Sequence, residues 1–438
     1  MSNFDLVLKL LLQLATILCA CRVVSFLGRR YLGQTDVVCE MIAGVFLGPS
    51  LFGILAPDLQ QWLFPKMPLL LENGSKIPHP SMSILFAMSQ VGLVIYMFLI
   101  GLEFNTDLIK NRLRSASLVS SMGILAPFVL GAIAAVFLYP NGGLFTPGIK
   151  PWTAALYLGA SMSITAFPML ARMLYERGIA QTRMGTLALA AGSIDDAIAW
   201  CLLAIVLASV KSSANIAFLA IGGGLAYALV MVVVAKPKLK IFARWTQRDG
   251  EVTRQTLLFV LVALMLCAWF TDFIGIYAVF GAFILGTVMP RGTFAQQVHA
   301  QTEVLTTSLL LPIFFVFSGL NTQIGLVNTP QLWLITALIV VIAILGKGIA
   351  CMLAARAAGE NWRDSATIGS LMNARGLMEL IILNIGLEQK VITPTLFTIM
   401  VIMAIVTTLM TSPLVAVLLN GDRAAEYESK KPRQMSKV

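Results

Sequence analysis

Two adjacent carboxylates in a long uncharged segment constrain this chain more than any other feature. Asp195 and Asp196 lie within residues 184–210, a segment that holds no other charged residue. As a helix, this segment extends for about 40 Å at roughly 1.5 Å per residue, which is enough to cross a bilayer. Carboxylates at membrane depth are costly and by default mark an ion or proton pathway. The alternative, a solvated pair at a helix end, is disfavoured by the long apolar flanks on both sides.

The composition predicts an integral membrane protein. Of the 438 residues, 58% are hydrophobic and 12% are charged, whereas soluble domains carry about 25% charged residues. Apolar windows predict an all-α polytopic membrane protein with about thirteen transmembrane helices. The windows are 4–28, 35–53, 84–102, 116–139, 151–175, 183–210, 213–235, 255–271, 274–290, 303–320, 331–355, 364–387 and 394–420.

Basic residues alternate between the loops. They cluster after the first, third, fifth, seventh and eleventh segments and in the C-terminal tail. By the positive-inside rule this predicts an N-terminus outside and a C-terminus in the cytoplasm of a plasma or inner membrane. The net charge of +10 follows this orientation, so we predict membrane lipids, and no nucleic acid, as partners. We predict a transmembrane transporter domain over 1–420 and a short cytoplasmic tail over 421–438.

Similar stretches of sequence recur seven segments apart. Segment two reads Ala-Gly-Val-Phe-Leu-Gly-Pro (43–49) and segment nine reads Gly-Ala-Phe-Ile-Leu-Gly (281–286). Segments three and ten both carry Gly-Leu followed shortly by Asn-Thr, from Gly101 and from Gly319. Together these matches predict a unit of about five helices whose second copy is inverted, the inverted repeat of many secondary transporters.

A helix broken at mid-membrane is predicted in segment five. Pro168 removes a backbone N–H and clashes with the preceding turn. The hydroxyls of Ser161, Ser163 and Thr165 could satisfy the backbone groups that the break frees, or coordinate a cation. The alternative is that the two serines only allow close helix packing.

A second broken helix is predicted in segment twelve. Gly376 permits unwinding, and polar side chains at Asn373, Arg375 and Glu379 lie at membrane depth. Arg375 and Glu379 are four residues apart, so we interpret them as an internal ion pair that braces the helix. Arg375 could also lie near the permeation site.

Lys347 is the third charge predicted at membrane depth. It is the only charged residue between Glu303 and Arg356, and a buried ammonium needs a partner. The candidate partner is one of the two aspartates, Asp195 or Asp196. Cation entry at the unpaired carboxylate would disturb such a pair, and this competition between cations and protons is the chemistry of an antiporter.

With these residues in place, the chain resembles the monovalent cation:proton antiporter superfamily. It is most similar to the branch of plant cation/proton exchangers and bacterial potassium-efflux antiporters. The resemblance extends to about residue 419 and rests on five motifs: Glu-Met-Ile-Ala-Gly-Val-Phe-Leu-Gly-Pro (40–49), Phe-Leu-Ile-Gly-Leu-Glu (98–103), Ser-Ile-Thr-Ala-Phe-Pro (163–168), Ile-Asp-Asp-Ala-Ile-Ala-Trp (194–200) and Asn-Ala-Arg-Gly-Leu-Met-Glu (373–379).

The resemblance implies a sodium/proton antiporter-like fold in a homodimer, with two broken crossing helices and a mobile core at about 116–210 and 331–420. It implies that a monovalent cation, potassium or sodium, binds at Asp196, and that Asp195 pairs with Lys347. Ser163 and Thr165 fall in the first broken helix, and Asn373 in the second. The predicted activity is electrogenic exchange of that cation for protons by an elevator-type mechanism, with no enzymatic step and no cofactor.

Other classes of protein remain open at this point. A sodium-coupled solute symporter would share the inverted repeat. A channel is less well supported because the sequence has no filter-like run. A membrane-embedded aspartyl protease needs aspartates that converge from two helices, whereas adjacent residues on one helix point about 100° apart.

Overall fold

The structure, a computed structural model, describes residues 3–65, 69–70, 76–77, 79–103, 113–180, 182–210, 214–275 and 277–419. Helices make up nearly all of this part of the chain, which confirms the predicted all-α class. The exception is an antiparallel pair of two-residue strands, in which Leu69 pairs with Ile77 and Leu70 with Lys76. The predicted tail, 421–438, lies outside the described residues.

The helices of the N-terminal half follow the predicted windows. They are α1 (Asn3–Leu32), α2 (Asp36–Leu47), α3 (Phe52–Leu55), α4 (Pro57–Leu63), α5 (Pro80–Glu103), α6 (Leu113–Leu138), α7 (Pro151–Ser163), α8 (Phe167–Glu176), α9 (Arg183–Val210) and α10 (Ala214–Val230). Strands β1 (Leu69–Leu70) and β2 (Lys76–Ile77) lie between α4 and α5.

The C-terminal half continues the same pattern. Its helices are α11 (Lys236–Asp249), α12 (Arg254–Phe273), α13 (Ala278–Val288), α14 (Thr293–Leu305), α15 (Leu311–Leu320), α16 (Pro330–Ala343), α17 (Ala350–Ala357), α18 (Trp362–Met372), α19 (Leu377–Glu388) and α20 (Pro394–Leu419). Widened π-helical turns join three pairs of these helices without a break: Met231–Ala235, Thr306–Leu310 and Ile344–Ile349.

Eight helical stretches of the described residues are long and apolar enough to cross a membrane. They are Asn3–Leu32, Val38–Leu55, Pro80–Glu103, Leu113–Leu138, Arg254–Phe273, Thr293–Leu326, Pro330–Ala357 and Pro394–Leu419. The total of thirteen crossings stays a prediction. The helices extend beyond the hydropathy windows because backbone hydrogen bonding continues into polar sequence, as in α14. The basic segment after segment seven is also helical, as α11.

The chain divides into two compact units. The first contains residues 1–24, 40–105 and 207–323, and the second contains residues 25–39, 106–206 and 324–438. All the residues predicted to bind ions or protons belong to the second unit.

In the first unit, the glycines of the predicted repeat lie where helices touch. A Cβ on Gly319 of α15 would lie 2.7 Å from the Cα of Gly44 in α2. A Cβ on Gly101 of α5 would lie 2.9 Å from the Cα of Gly286 in α13. Segment two therefore packs on segment ten, and segment nine on segment three. If segments nine and ten repeat segments two and three, the contact of segment two with segment ten must have an equivalent between segments nine and three. Both contacts are present.

In the second unit, two helices are interrupted at the predicted positions. Helix α7 ends at Ser163, Ile164 has extended backbone, and α8 begins at Phe167. Helix α18 ends at Met372 and α19 begins at Leu377. The interruptions meet, since the N–H of Ala166 donates to the carbonyl of Ala374 over 3.4 Å. The two broken helices thus cross at their breaks.

Candidate ion-binding site

The first break frees main-chain carbonyls at the end of α7. The N–H of Phe167 donates to the carbonyl of Thr165, so it does not reach Ser163 four residues back. The carbonyl of Ser163 instead accepts a hydrogen bond from the ammonium of Lys347. The guanidinium of Arg375 donates to the carbonyl of Met162 over 2.8 Å and to that of Ser161 over 3.4 Å. Two buried cations therefore cap this helix end, where the helix dipole favours positive charge.

Lys347 is fully buried and has three acceptors. Its Nζ lies 3.0 Å from Oδ2 of Asp195 and 2.9 Å from the carbonyl oxygen of Gly123 on α6, in addition to the carbonyl of Ser163. An ammonium has three N–H donors, so each has a partner. The charge partner of Lys347 in the structure is Asp195. Oδ2 of Asp195 also accepts the hydroxyl of Thr165 over 2.6 Å.

Asp196 differs sharply from its neighbour. It is 1% exposed, and neither of its carboxylate oxygens has a hydrogen-bond partner within the described part of the chain. A buried carboxylate without partners must bind a proton or a cation, because an isolated charge in an apolar interior is too costly. One oxygen of Asp195 and the side-chain oxygen of Asn373 are likewise buried and have no partner among the described residues.

The two serine hydroxyls donate to backbone carbonyls. Ser161 donates to the carbonyl of Tyr157 over 2.9 Å. Ser163 donates to the carbonyl of Gly159 over 2.7 Å and to that of Ile124 over 3.1 Å. In this state both hydroxyls satisfy backbone oxygens, and direct coordination of a cation by them stays a prediction.

Arg375 and Glu379 form the ion pair that their spacing suggests. Nη1 of Arg375 lies 2.8 Å from Oε2 of Glu379, and both side chains are buried. Because the same guanidinium also binds the end of α7, the pair joins the two broken helices and does more than brace its own helix.

Sequence reasoning missed Thr408 on α20. Its hydroxyl accepts the N–H of Arg375 over 2.9 Å and donates to the carbonyl of the same residue over 2.6 Å. One side chain therefore satisfies both backbone groups at the centre of the second break. Thr408 lies in an uninterrupted apolar helix, and its sequence context carries no signal of this role.

Comparison with known proteins identifies the family of this chain. The family described as "Sodium/hydrogen exchanger, transmembrane" matches residues 14–421. The chain belongs to this exchanger family. This match confirms the resemblance inferred from the motifs. The exchanger is an integral multi-pass membrane protein.

Two relatives and one solved structure show how far the similarity reaches. The Na(+)/H(+) antiporter NhaS4 of Synechocystis sp. is 41% identical to the exchanger over 416 residues, which cover 93% of this chain and 96% of that protein. Cation/H(+) antiporter 20 of Arabidopsis thaliana is 33% identical over 434 residues, and the chain spans about half of its length (50%). The sodium proton antiporter MjNhaP1 of Methanocaldococcus jannaschii matches 95% of this chain with a TM-score of 0.63 and 13% identity. That likeness confirms the predicted sodium/proton antiporter-like fold.

Proposed function

We propose that this exchanger transports a monovalent cation, potassium or sodium, in one direction and protons in the other, with the cation bound at Asp196. The observation that carries the proposal is the carboxylate of Asp196, which is buried, has no hydrogen-bond partner within the described residues, and adjoins the Asp195–Lys347 pair. The family membership and the antiporters among its relatives support the same activity.

The exchange follows from competition for one carboxylate. Asp196 holds either a proton or a cation, since its burial excludes the bare charge. A bound cation would displace the proton, and a proton would in turn expel the cation. The neutral oxygens near the breaks, including that of Asn373, are the hard ligands that an alkali cation prefers. Selection of potassium over sodium depends on the size and field strength of the bound-state cavity.

We further propose that transport is electrogenic. If cation binding at Asp196 also causes the Asp195–Lys347 pair to release a proton, two protons move for each monovalent cation. One net charge that crosses 100 mV corresponds to about 2.3 kcal/mol, so the membrane potential would contribute to the driving force.

We propose that the site crosses the membrane by an elevator-type movement of the second unit. Asp195, Asp196, Lys347 and both breaks belong to this single compact unit, so they can move without parting from one another. The exchanger would work as a homodimer among membrane lipids, in a plasma or inner membrane, with its N-terminus outside. Light scattering of the purified protein with its detergent subtracted measures the oligomeric state.

Proteoliposomes with an imposed pH gradient and a pH-sensitive dye test the proposed exchange. Potassium, sodium or choline is added in turn to vesicles that contain the wild type or Asp196→Asn. Collapse of the gradient by potassium or sodium in the wild type alone is the expected result, and it identifies the ion. If no monovalent cation has an effect on folded wild-type protein, the proposal is wrong, and sodium uptake that depends on an added solute would favour the symporter.

A further inference from the structure

Helix α6 contains a proline four residues after Gly123, whose carbonyl accepts a hydrogen bond from the buried lysine. Pro127 lies in the interior of α6. A proline has no N–H, so the carbonyl four residues before it loses its normal helical donor. That carbonyl belongs to Gly123, which accepts the ammonium of Lys347 over 2.9 Å. The oxygen that the proline leaves without a helical donor is therefore the one that accepts from Lys347.

The partner helix is shaped to meet this defect. Lys347 lies in the π-helical turn Ile344–Ile349, between α16 and α17. A Cβ on Gly346, the residue before it, would lie 2.9 Å from the Cα of Pro127. A glycine at 346 is thus needed for the lysine turn to approach the proline so closely. Widened turns of this kind are frequent at functional sites.

We infer that Pro127 is a positioning residue for Lys347: by withholding an N–H from Gly123, it keeps that carbonyl available as a ligand of the ammonium. The inference rests on the proposed function only in so far as Lys347 takes part in exchange. Each of the two carbonyls that accept from Lys347 then lacks a helical N–H donor. The first break removes the donor for Ser163, and the proline removes it for Gly123.

A second proline supplies a matched control. Pro413 lies inside α20, and the carbonyl that it frees, that of Leu409, accepts the side-chain amide of Gln34 over 3.0 Å. Replacement of either proline by alanine supplies the N–H donor that one turn of its helix lacks. Only the replacement at 127 adds a helical N–H that competes with the buried ammonium for the carbonyl of Gly123.

Exchange in proteoliposomes gives the first readout. Pro127→Ala should lower the rate about tenfold, because the added N–H competes with the ammonium for the Gly123 carbonyl and weakens a hydrogen bond to a charged group, while Pro413→Ala should stay within about twofold of the wild type. A rescue variant carries lactic acid at position 127, which lacks the N–H as proline does but has no ring. It should restore most of the rate if the missing N–H is what matters.

Thermal unfolding gives a second readout that does not need activity. Pro127→Ala and Pro413→Ala are each measured in the wild type and in Lys347→Gln. A purely structural effect of the replacement on α6 adds equally in both backgrounds. Action through Lys347 predicts that Pro127→Ala raises the melting temperature by about 2 °C more when residue 347 is glutamine. Pro413→Ala should give the same shift in both.

Two results would overturn the inference. One is additivity of Pro127→Ala with Lys347→Gln in the melting temperature. The other is an exchange rate for Pro127→Ala that equals that of Pro413→Ala in vesicles where the wild type is active. Absence of exchange in the wild type would instead contradict the proposed function, and the melting comparison would still decide the role of Pro127.

Discussion

At the scale of single residues, two chemically identical neighbours have opposite surroundings. Asp195 shares one oxygen with Lys347 and Thr165, whereas neither oxygen of Asp196 has a hydrogen-bond partner in the part of the chain that the structure describes. Adjacent residues of a helix point about 100° apart, so one aspartate faces the lysine turn and the other does not. We therefore expect a substitution at Asp195 to affect mainly the stability of the protein, and one at Asp196 to affect mainly cation binding.

Asp195→Asn should destabilise the protein. The change leaves the ammonium of Lys347 buried without the carboxylate that pairs with it, and loss of one partner of a buried ion pair costs about 3–5 kcal/mol. Thermal unfolding in detergent measures the effect. Addition of Lys347→Gln to the same chain should recover part of the loss, because both buried charges are then gone. Equal melting of Asp195→Asn and the wild type would show that the pair does not contribute.

Lys347→Gln should weaken or abolish the voltage dependence of transport. Under the proposed two-proton exchange, the variant would have no second proton to release, so exchange would become one cation for one proton and would move no net charge. Transport currents on solid-supported membranes, recorded beside the dye assay, measure this. Currents that stay as large as in the wild type at an equal exchange rate would rule out the two-proton role.

At the scale of helices, the site is assembled from interruptions. The breaks after Ser163 and Met372 free backbone groups among buried residues, and buried backbone groups need partners. Here the partners are side chains from other helices: Lys347, Arg375 and Thr408. The helix breaks are therefore held open by specific contacts, each of which can be removed separately.

Thr408→Val should disturb the second break. It preserves shape but removes both hydrogen bonds to the backbone of Arg375, and each buried group left without a partner costs about 1–3 kcal/mol. We expect a lower melting temperature and a higher KM for the cation, with Thr408→Ser close to the wild type. Thr407→Val is the matched control, because the hydroxyl of Thr407 donates to the carbonyls of Met403 and Ala404 in its own helix. Equal effects of the two valine variants would refute the assigned role.

Gly101→Ala should destabilise the first unit. The added methyl would lie within 2.9 Å of the Cα of Gly286 and 3.0 Å of the backbone nitrogen of Thr287. Main chain cannot move aside as a flexible side chain can, so we expect a loss of about 1–3 kcal/mol. In contrast, a Cβ on Gly222 of α10 has no atom within 4 Å, and Gly222→Ala should be neutral or stabilising by up to about 1 kcal/mol. Melting curves of both variants test the difference, and a similar change in both would contradict it.

At the scale of the whole molecule, we expect the stability of the fold to depend on what binds at the site. Every charged side chain of the site belongs to one of the two compact units. A ligand that binds there stabilises the folded state by an amount set by its concentration and affinity. Melting of the intact protein therefore reports on the site without any transport assay.

Potassium or sodium should raise the melting temperature of the wild type, and choline should not. At a cation concentration 100 times the Kd, the stabilisation is about 2.7 kcal/mol. The shift should shrink as the pH is lowered, because protons compete for the same carboxylate, and it should vanish in Asp196→Asn. A cation-dependent shift of equal size in Asp196→Asn would place the cation elsewhere.

The sequence by itself determined the class of protein, the approximate positions of its apolar helices and the location of both breaks. These properties are local, since apolar windows, Pro168 and Gly376 act on the backbone around them. It also singled out Asp195, Asp196 and Lys347, because each interrupts a long apolar segment, and all three are buried in the structure.

The tertiary structure decided what spacing along the chain could not, namely how those charges are divided. Asp195 and Lys347 are 152 residues apart in the chain, so the residues alone left either aspartate open as the partner of the lysine, and only the family resemblance implied Asp195. The same holds for the contacts of Arg375 with the end of α7, of Thr408 with the second break, and of Lys347 with the carbonyl that Pro127 frees. Each depends on distances between helices that are remote in sequence, and these distances are set by the packing of the whole unit.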